Sequence, residues 1–102
     1  MHEQIRQIME EHIGKRNAIT SAEIADMLGI DEDDTHSKTR RLLLETAKMY
    51  KLPMAATTNY PKGYYLIAND EEYDEYIATL DSRIDGIEER KEIITDNYKR
   101  RK

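Results

Sequence analysis

Residues 35–50 read THSKTRRLLLETAKMY, a stretch that is polar and cationic at its head and apolar behind it. Thr35, His36, Ser37 and Lys38 open it and Arg40 and Arg41 follow. Only then come Leu42, Leu43 and Leu44, with Ala47 and Tyr50 at helical spacing. A helix built this way buries its later turns and presents its first turn outward, as a helix lying in a DNA major groove does. An ordinary amphipathic helix with a solvated basic end has the same pattern, so the neighbouring segments must decide.

Upstream lies ITSAEIADMLGI, residues 19–30. Ser21 can cap a helix there with its hydroxyl, or Thr20 can pair with Glu23 as a capping box. Ile24, Ala25, Met27 and Leu28 are then expected to face inward, and Gly29 to end the helix. A small residue beside Ile24, then Leu28-Gly29-Ile30, is the pattern of a helix-turn-helix, in which the small side chain lets the next helix cross closely. Before it, Ile5, Ile8, Met9, His12 and Ile13 form one helical stripe, with Gly14 as its stop. His12 is expected to be a structural residue, since His2 and His36 have no ligand spacing to it. Between the second helix and the basic one run Asp31, Glu32, Asp33 and Asp34, whose charge suits the positive end of a helix dipole. They lack the glycine and closing glutamate of a calcium loop.

Downstream the period changes. Residues 52–58, LPMAATT, read as a strand, Asn59-Tyr60-Pro61-Lys62-Gly63 as a turn, and residues 64–68, YYLIA, as a second strand. Three helices followed by one hairpin is the winged-helix order. From Asp70 the chain is helical again, with Tyr73, Ile77, Leu80, Ile84, Ile87, Lys91, Ile94 and Tyr98 alternating spacings of four and three. That is a heptad repeat with Ile77, Ile84 and Lys91 at a and Tyr73, Leu80, Ile87 and Ile94 at d. It places Arg83 and Arg90 at g, and Asp81 and Glu88 at e. The expected fold is therefore mainly α with a small β-hairpin (α+β). A winged helix-turn-helix domain would occupy residues 1–69, and a long C-terminal helix, residues 70–102, would carry a dimerisation seam and a basic tail.

Composition bounds the function. With 102 residues the chain has room for one small core, and with no Trp and no Phe that core must be filled by Ile, Leu, Met and seven Tyr. No segment has the apolar length of a membrane span, and the N-terminal residues are too charged for a signal peptide. A soluble protein of the prokaryotic cytoplasm or of a virus-infected host cell is expected. The absence of Cys removes disulfides, thiolate metal sites and thiol nucleophiles. No nucleophile with a base, no phosphate-binding glycine loop and no metal constellation is legible, so neither catalysis nor a cofactor is expected.

The net charge of −5 conceals a segregation. Residues 35–69 hold six Lys/Arg against one Asp/Glu, while residues 1–34 and 70–102 are both net acidic. Attraction to phosphate depends on the local field, so an acidic chain with a basic middle can bind DNA through one face.

These segments resemble the small winged-helix proteins of bacterial and archaeal phages and prophages. In those a phrase like L-R-x-(I/L)-I…G-x-P-I-x-S…G-Y-Y-x-A precedes an acidic helix with a Y-I-x-x-L-x-x-R signature. Arg40, Pro53, Gly63, Tyr64, Tyr65 and Ala68 fall on the first phrase, and Tyr76, Ile77, Leu80 and Arg83 on the second, over roughly residues 20–90. The chain departs from the pattern in its acidic run at residues 31–34 and in carrying Tyr50-Lys51 where a glycine often sits. The resemblance implies a DNA-binding protein with double-stranded DNA as its partner, and the heptad repeat makes a second copy of the chain the other expected partner.

Residue by residue, Lys38, Arg40, Arg41 and Lys62 are the expected phosphate contacts, and His36, Ser37 and Thr39 face base edges. Thr35, Ser21 at the head of the second helix, and Asn59 and Tyr60 at the hairpin tip complete the set. The alternative is a winged-helix module that assembles with another phage or host protein, because a fold does not by itself carry a function.

Overall fold

In the computed structural model, which describes residues 1–31 and 36–100, the first helix is α1, His2–Glu10. Ile5, Ile8 and Met9 form its buried face. The expected stripe stops there, and Ile13 is 49% exposed. The reason is a competing backbone pairing: Leu66 donates its N–H to the His12 carbonyl at 2.9 Å, and Gly14 donates to the Leu66 carbonyl at 2.8 Å. Another helical turn would break both bonds. Gly14, with φ 93°, takes the reversal, and a 3-10 turn over Lys15–Asn17 follows. His12 has the structural role expected of it, its Nδ1 lying 2.7 Å from the Asn17 carbonyl oxygen.

The second helix, α2, is Ser21–Leu28. Of the two caps its sequence allowed, Thr20 is used. Its hydroxyl oxygen accepts the Glu23 N–H at 3.1 Å, and the Glu23 carboxylate accepts the Thr20 N–H at 3.3 Å. Gly29, at φ 64°, ends the helix in the left-handed conformation that glycine adopts without strain. Ile24 and Ala25 are buried and Leu28 packs on the core, but Met27 is 60% exposed rather than inward. Ile24, Ala25 and Leu28 already define the inward face of so short a helix, and Met27 falls beyond its edge. The chain is next described from His36; of the acidic run only Asp31, which is exposed, lies within the described residues.

The third helix, α3, is Ser37–Tyr50. Its inward side is Thr39, Leu43 and Thr46, flanked by the half-buried Leu42 and Ala47. Thr46 satisfies its buried hydroxyl by donating to the Leu42 carbonyl at 2.7 Å. The apolar triplet is therefore split three ways, with Leu43 fully buried, Leu42 half-buried and Leu44 57% exposed. Tyr50 lies at the rim, 5.0 Å from the Arg6 guanidinium that covers its ring. Lys51 closes the helix at φ 55°, a left-handed conformation in which a Cβ is crowded.

Strands β1, Met54–Thr57, and β2, Gly63–Leu66, form the hairpin, with Ala55 opposite Tyr65 and Ala56 opposite Tyr64. The second edge of β2 is also used. Ile19 donates to the Tyr64 carbonyl at 2.8 Å and accepts from the Tyr64 N–H at 2.7 Å, an antiparallel bridge beside the parallel one at Ile13 and Leu66. β2 is thus held between β1 and the segment that joins α1 to α2. The core beneath it is Ile5, Ile8, Met9, Ile19, Ile24, Leu43 and Leu66.

The last helix, α4, is Asp70–Arg100, with Asp70, Glu71 and Glu72 in its first turn, where the dipole favours negative charge. Glu72 accepts from the N–H groups of Lys15 and Ala68, both at 3.0 Å, and donates its own N–H to the Asn69 side chain at 2.9 Å. The chain divides into two units, Met1–Glu72 and Tyr73–Lys102. Glu72, bonded to Lys15 and Ala68, belongs to the first of these. No residue of α4 is buried. The protein is mainly helical with one antiparallel hairpin, an α+β chain. Among the described residues, no helix is long and apolar enough to cross a membrane.

Two positions predict opposite outcomes in urea unfolding. A Cβ at Gly63 would run into the carbonyl of Ile19, so Gly63→Ala should destabilise the N-terminal unit by about 2–3 kcal/mol. Lys51→Gly should raise stability by about 0.5–1 kcal/mol, by relieving the left-handed backbone at an exposed site.

Candidate nucleic-acid interface

Because Thr39, Leu43 and Thr46 fix the rotation of α3, they also fix what points away from the core. Ser37, Arg41, Leu44 and Lys48 follow one another at spacings of four, three and four along the outward stripe, and all are exposed. Lys38 and Glu45 flank the stripe on one side, where Glu45 lies 3.4 Å from His2 of α1. Arg40, also exposed, flanks it on the other.

On the Arg40 side the surface is concave. Arg40, the head of α2 at Ser21 and Ala22, and the hairpin at Thr57, Thr58 and Lys62 line one cleft of about 560 Å³. Its lining residues include two cations, several hydroxyls and no carboxylate. In the first turn of α2 the Glu23 and Ile24 N–H groups are taken by the Thr20 hydroxyl and carbonyl, which leaves those of Ser21 and Ala22 without an acceptor in the helix, and the dipole there is positive. Glu23, the carboxylate of that turn, is already engaged by Thr20. An anionic oxygen entering the cleft would meet positive charge and hydrogen-bond donors from three separate elements.

The expected site residues are distributed unevenly. Ser21, Arg40 and Lys62 come together in the cleft. Ser37, Lys38 and Arg41 stand exposed on the first two turns of α3, and His36, half-buried and left-handed at φ 54°, precedes them. Asn59 and Tyr60 are exposed at the hairpin tip, where Tyr60 is 99% accessible and the Asn59 N–H is held by the Thr57 hydroxyl at 3.2 Å. Thr35 lies outside the described residues. Thr39 is a correction. It is fully buried on the inward face of α3, one residue's rotation from Arg40, and cannot face a base edge.

Sequence reasoning missed Lys48, which extends the cationic stripe by one turn. The signal was available in its spacing from Ser37, Arg41 and Leu44. It also missed Thr57 and Thr58, whose place in the cleft depends on how the hairpin sits against α2 and which no local pattern encodes. Comparison of the chain with protein-family models, with curated proteins and with solved structures finds no match.

The two classes of residue on α3 predict different responses to truncation. Arg40→Ala and Lys62→Ala should each leave unfolding free energy within about 0.5 kcal/mol of the parent, whereas Thr39→Ala should lose about 1–2 kcal/mol. Urea denaturation followed by circular dichroism reads all three.

Proposed function

We propose that residues 1–69 form a winged helix-turn-helix domain that binds double-stranded DNA sequence-specifically, and that the chain works as a homodimeric transcription regulator of the phage or prophage type. In this reading α3 is the recognition helix and the hairpin is the wing. The observation that carries the reading is the convergence of Arg40 and Lys62 on the head of α2, beside an outward face of α3 whose first two turns hold Lys38 and Arg41. Phosphate contacts of this kind position a protein on the duplex without reading sequence. Lys38, Arg40, Arg41, Lys48 and Lys62 take that role.

Base reading falls to Ser37 and His36, and to Leu44, whose exposed methyl groups suit the thymine methyl in the major groove. Asn59 and Tyr60 at the wing tip lie along the backbone or the minor groove. A second reading, a protein-interaction module serving replication or antirepression, is favoured by one observation. Leu44 and Met49 expose 57% and 59% of their surface on the same helix, an apolar presence that phosphate contacts do not use.

The test is fluorescence anisotropy with genomic DNA fragments over a range of salt. Each phosphate contact contributes about 0.9 to the slope of log K against log salt, so Lys62→Ala should weaken binding to all fragments and flatten the slope by about one unit. An unchanged slope takes the wing out of the interface. Failure of the parent protein to bind any fragment near ~50 mM salt, where phosphate attraction is strong, rejects DNA binding in favour of the interaction module.

A further inference from the structure

The apolar stripe of α4 has no share in the core described above. Ile77, Ile84, Ile87 and Ile94 are 37%, 52%, 62% and 61% exposed. They recur at a and d over a helix of 31 residues, about 46 Å long at 1.5 Å per residue. From Ile77 to Ile94 the seam runs about 26 Å, and an exposed isoleucine seam of that length calls for a helical partner, which the residues bordering it identify.

The two borders differ in sign. The charged e positions are Asp74, Asp81 and Glu88, all acidic, and the charged g positions are Arg83 and Arg90, both basic; all five are exposed. In an antiparallel pair of identical helices e faces e and g faces g, so acid would meet acid and base would meet base along the seam. In a parallel pair g faces the e position of the following heptad on the partner, so Arg83 meets Glu88 twice by symmetry.

Lys91 fixes the alignment. In register, its charge occupies a single a layer and both ammonium groups reach solvent at the seam's edge. A shift of one heptad would set Lys91 against Ile84 and spoil two layers. Gly86 stands at c, away from the seam and with nothing within 4 Å, so it leaves packing undisturbed.

We infer that α4 pairs with α4 of a second copy as a parallel, in-register coiled coil, selected over the antiparallel arrangement because the charged residues at e are all acidic and those at g all basic. Both N-terminal units then enter the coil at the same end, which makes the molecule bivalent on that side. The inference deepens the homodimer named above, and only the use made of bivalency rests on the DNA reading.

The chain has no cysteine, so a single introduced one reports unambiguously. Leu80→Cys and Ile94→Cys, both at d, are placed separately in the full chain and equilibrated in a glutathione redox buffer. Non-reducing electrophoresis and sedimentation then read the products. A parallel, in-register pair links both variants to themselves as dimers.

In an antiparallel pair only one level of the helix can lie opposite its own copy, so self-linking of one variant alone, or of neither, overturns the inference. Sedimentation of the parent as a monomer or a trimer overturns it too. Arg83→Glu should weaken association by at least about three-fold, and adding Glu88→Arg to it should restore the parent value. An Arg83→Glu variant that associates as tightly as the parent removes the charge basis. None of these readouts contains DNA, so they stand or fall apart from the DNA-binding reading.

Discussion

The two-sided pairing of β2 is the constraint from which the N-terminal unit follows. A lone two-stranded hairpin is marginal in water, and here its inner strand gains backbone bonds on the far edge from Ile19 at one end and from residues 12–14 at the other. Those bonds set where α1 must stop and where α2 can start. They draw Ile19 and Leu66 into the same core as Ile5, Met9 and Leu43. The close approach is possible because residue 63 has no side chain. Once the head of α2 is fixed beside β2, the hairpin's outer residues and Arg40 of α3 have no choice but to share a cleft with it.

This explains which features the sequence made legible. Local chemistry is readable wherever it decides the outcome. Thr20 and Glu23 form a capping box because their side chains satisfy each other's backbone donors, and Gly29 ends α2 because the left-handed turn suits it. The change of hydrophobic period after Tyr50 announces the hairpin. The heptad of α4 is legible for the same reason, since every residue that defines it lies within one helix.

The misread positions are those where a distant segment wins. Ile13 fits a helical stripe, yet the backbone of Leu66 claims its neighbours. Met27 and Leu44 look like core by type, but a short helix needs few inward positions, and Ile24, Ala25 and Leu28, or Leu43 with two threonines, already fill them. Thr39 stands by sequence among the polar residues at the head of α3 that are expected to face outward. It is inward because Leu43 and Thr46 follow at four and seven residues, and a buried hydroxyl is tolerated where a helix backbone lies beside it. Of the candidate interface, the charges were legible one by one, while their grouping around the head of α2 was a property of the fold.

The inward face of α3 has a consequence for how such a protein can change over generations. Thr39, Leu43 and Thr46 hold the helix in rotation, and the left-handed residues His36 and Lys51 bracket its two ends. None of these is among the exposed residues Ser37, Arg41, Leu44 and Lys48. Mutations on the outer stripe are therefore nearly neutral for folding, and selection can act on what that stripe contacts without first finding a compensating change inside. A lineage carrying this helix can explore new targets at little risk to its own survival as a folded chain.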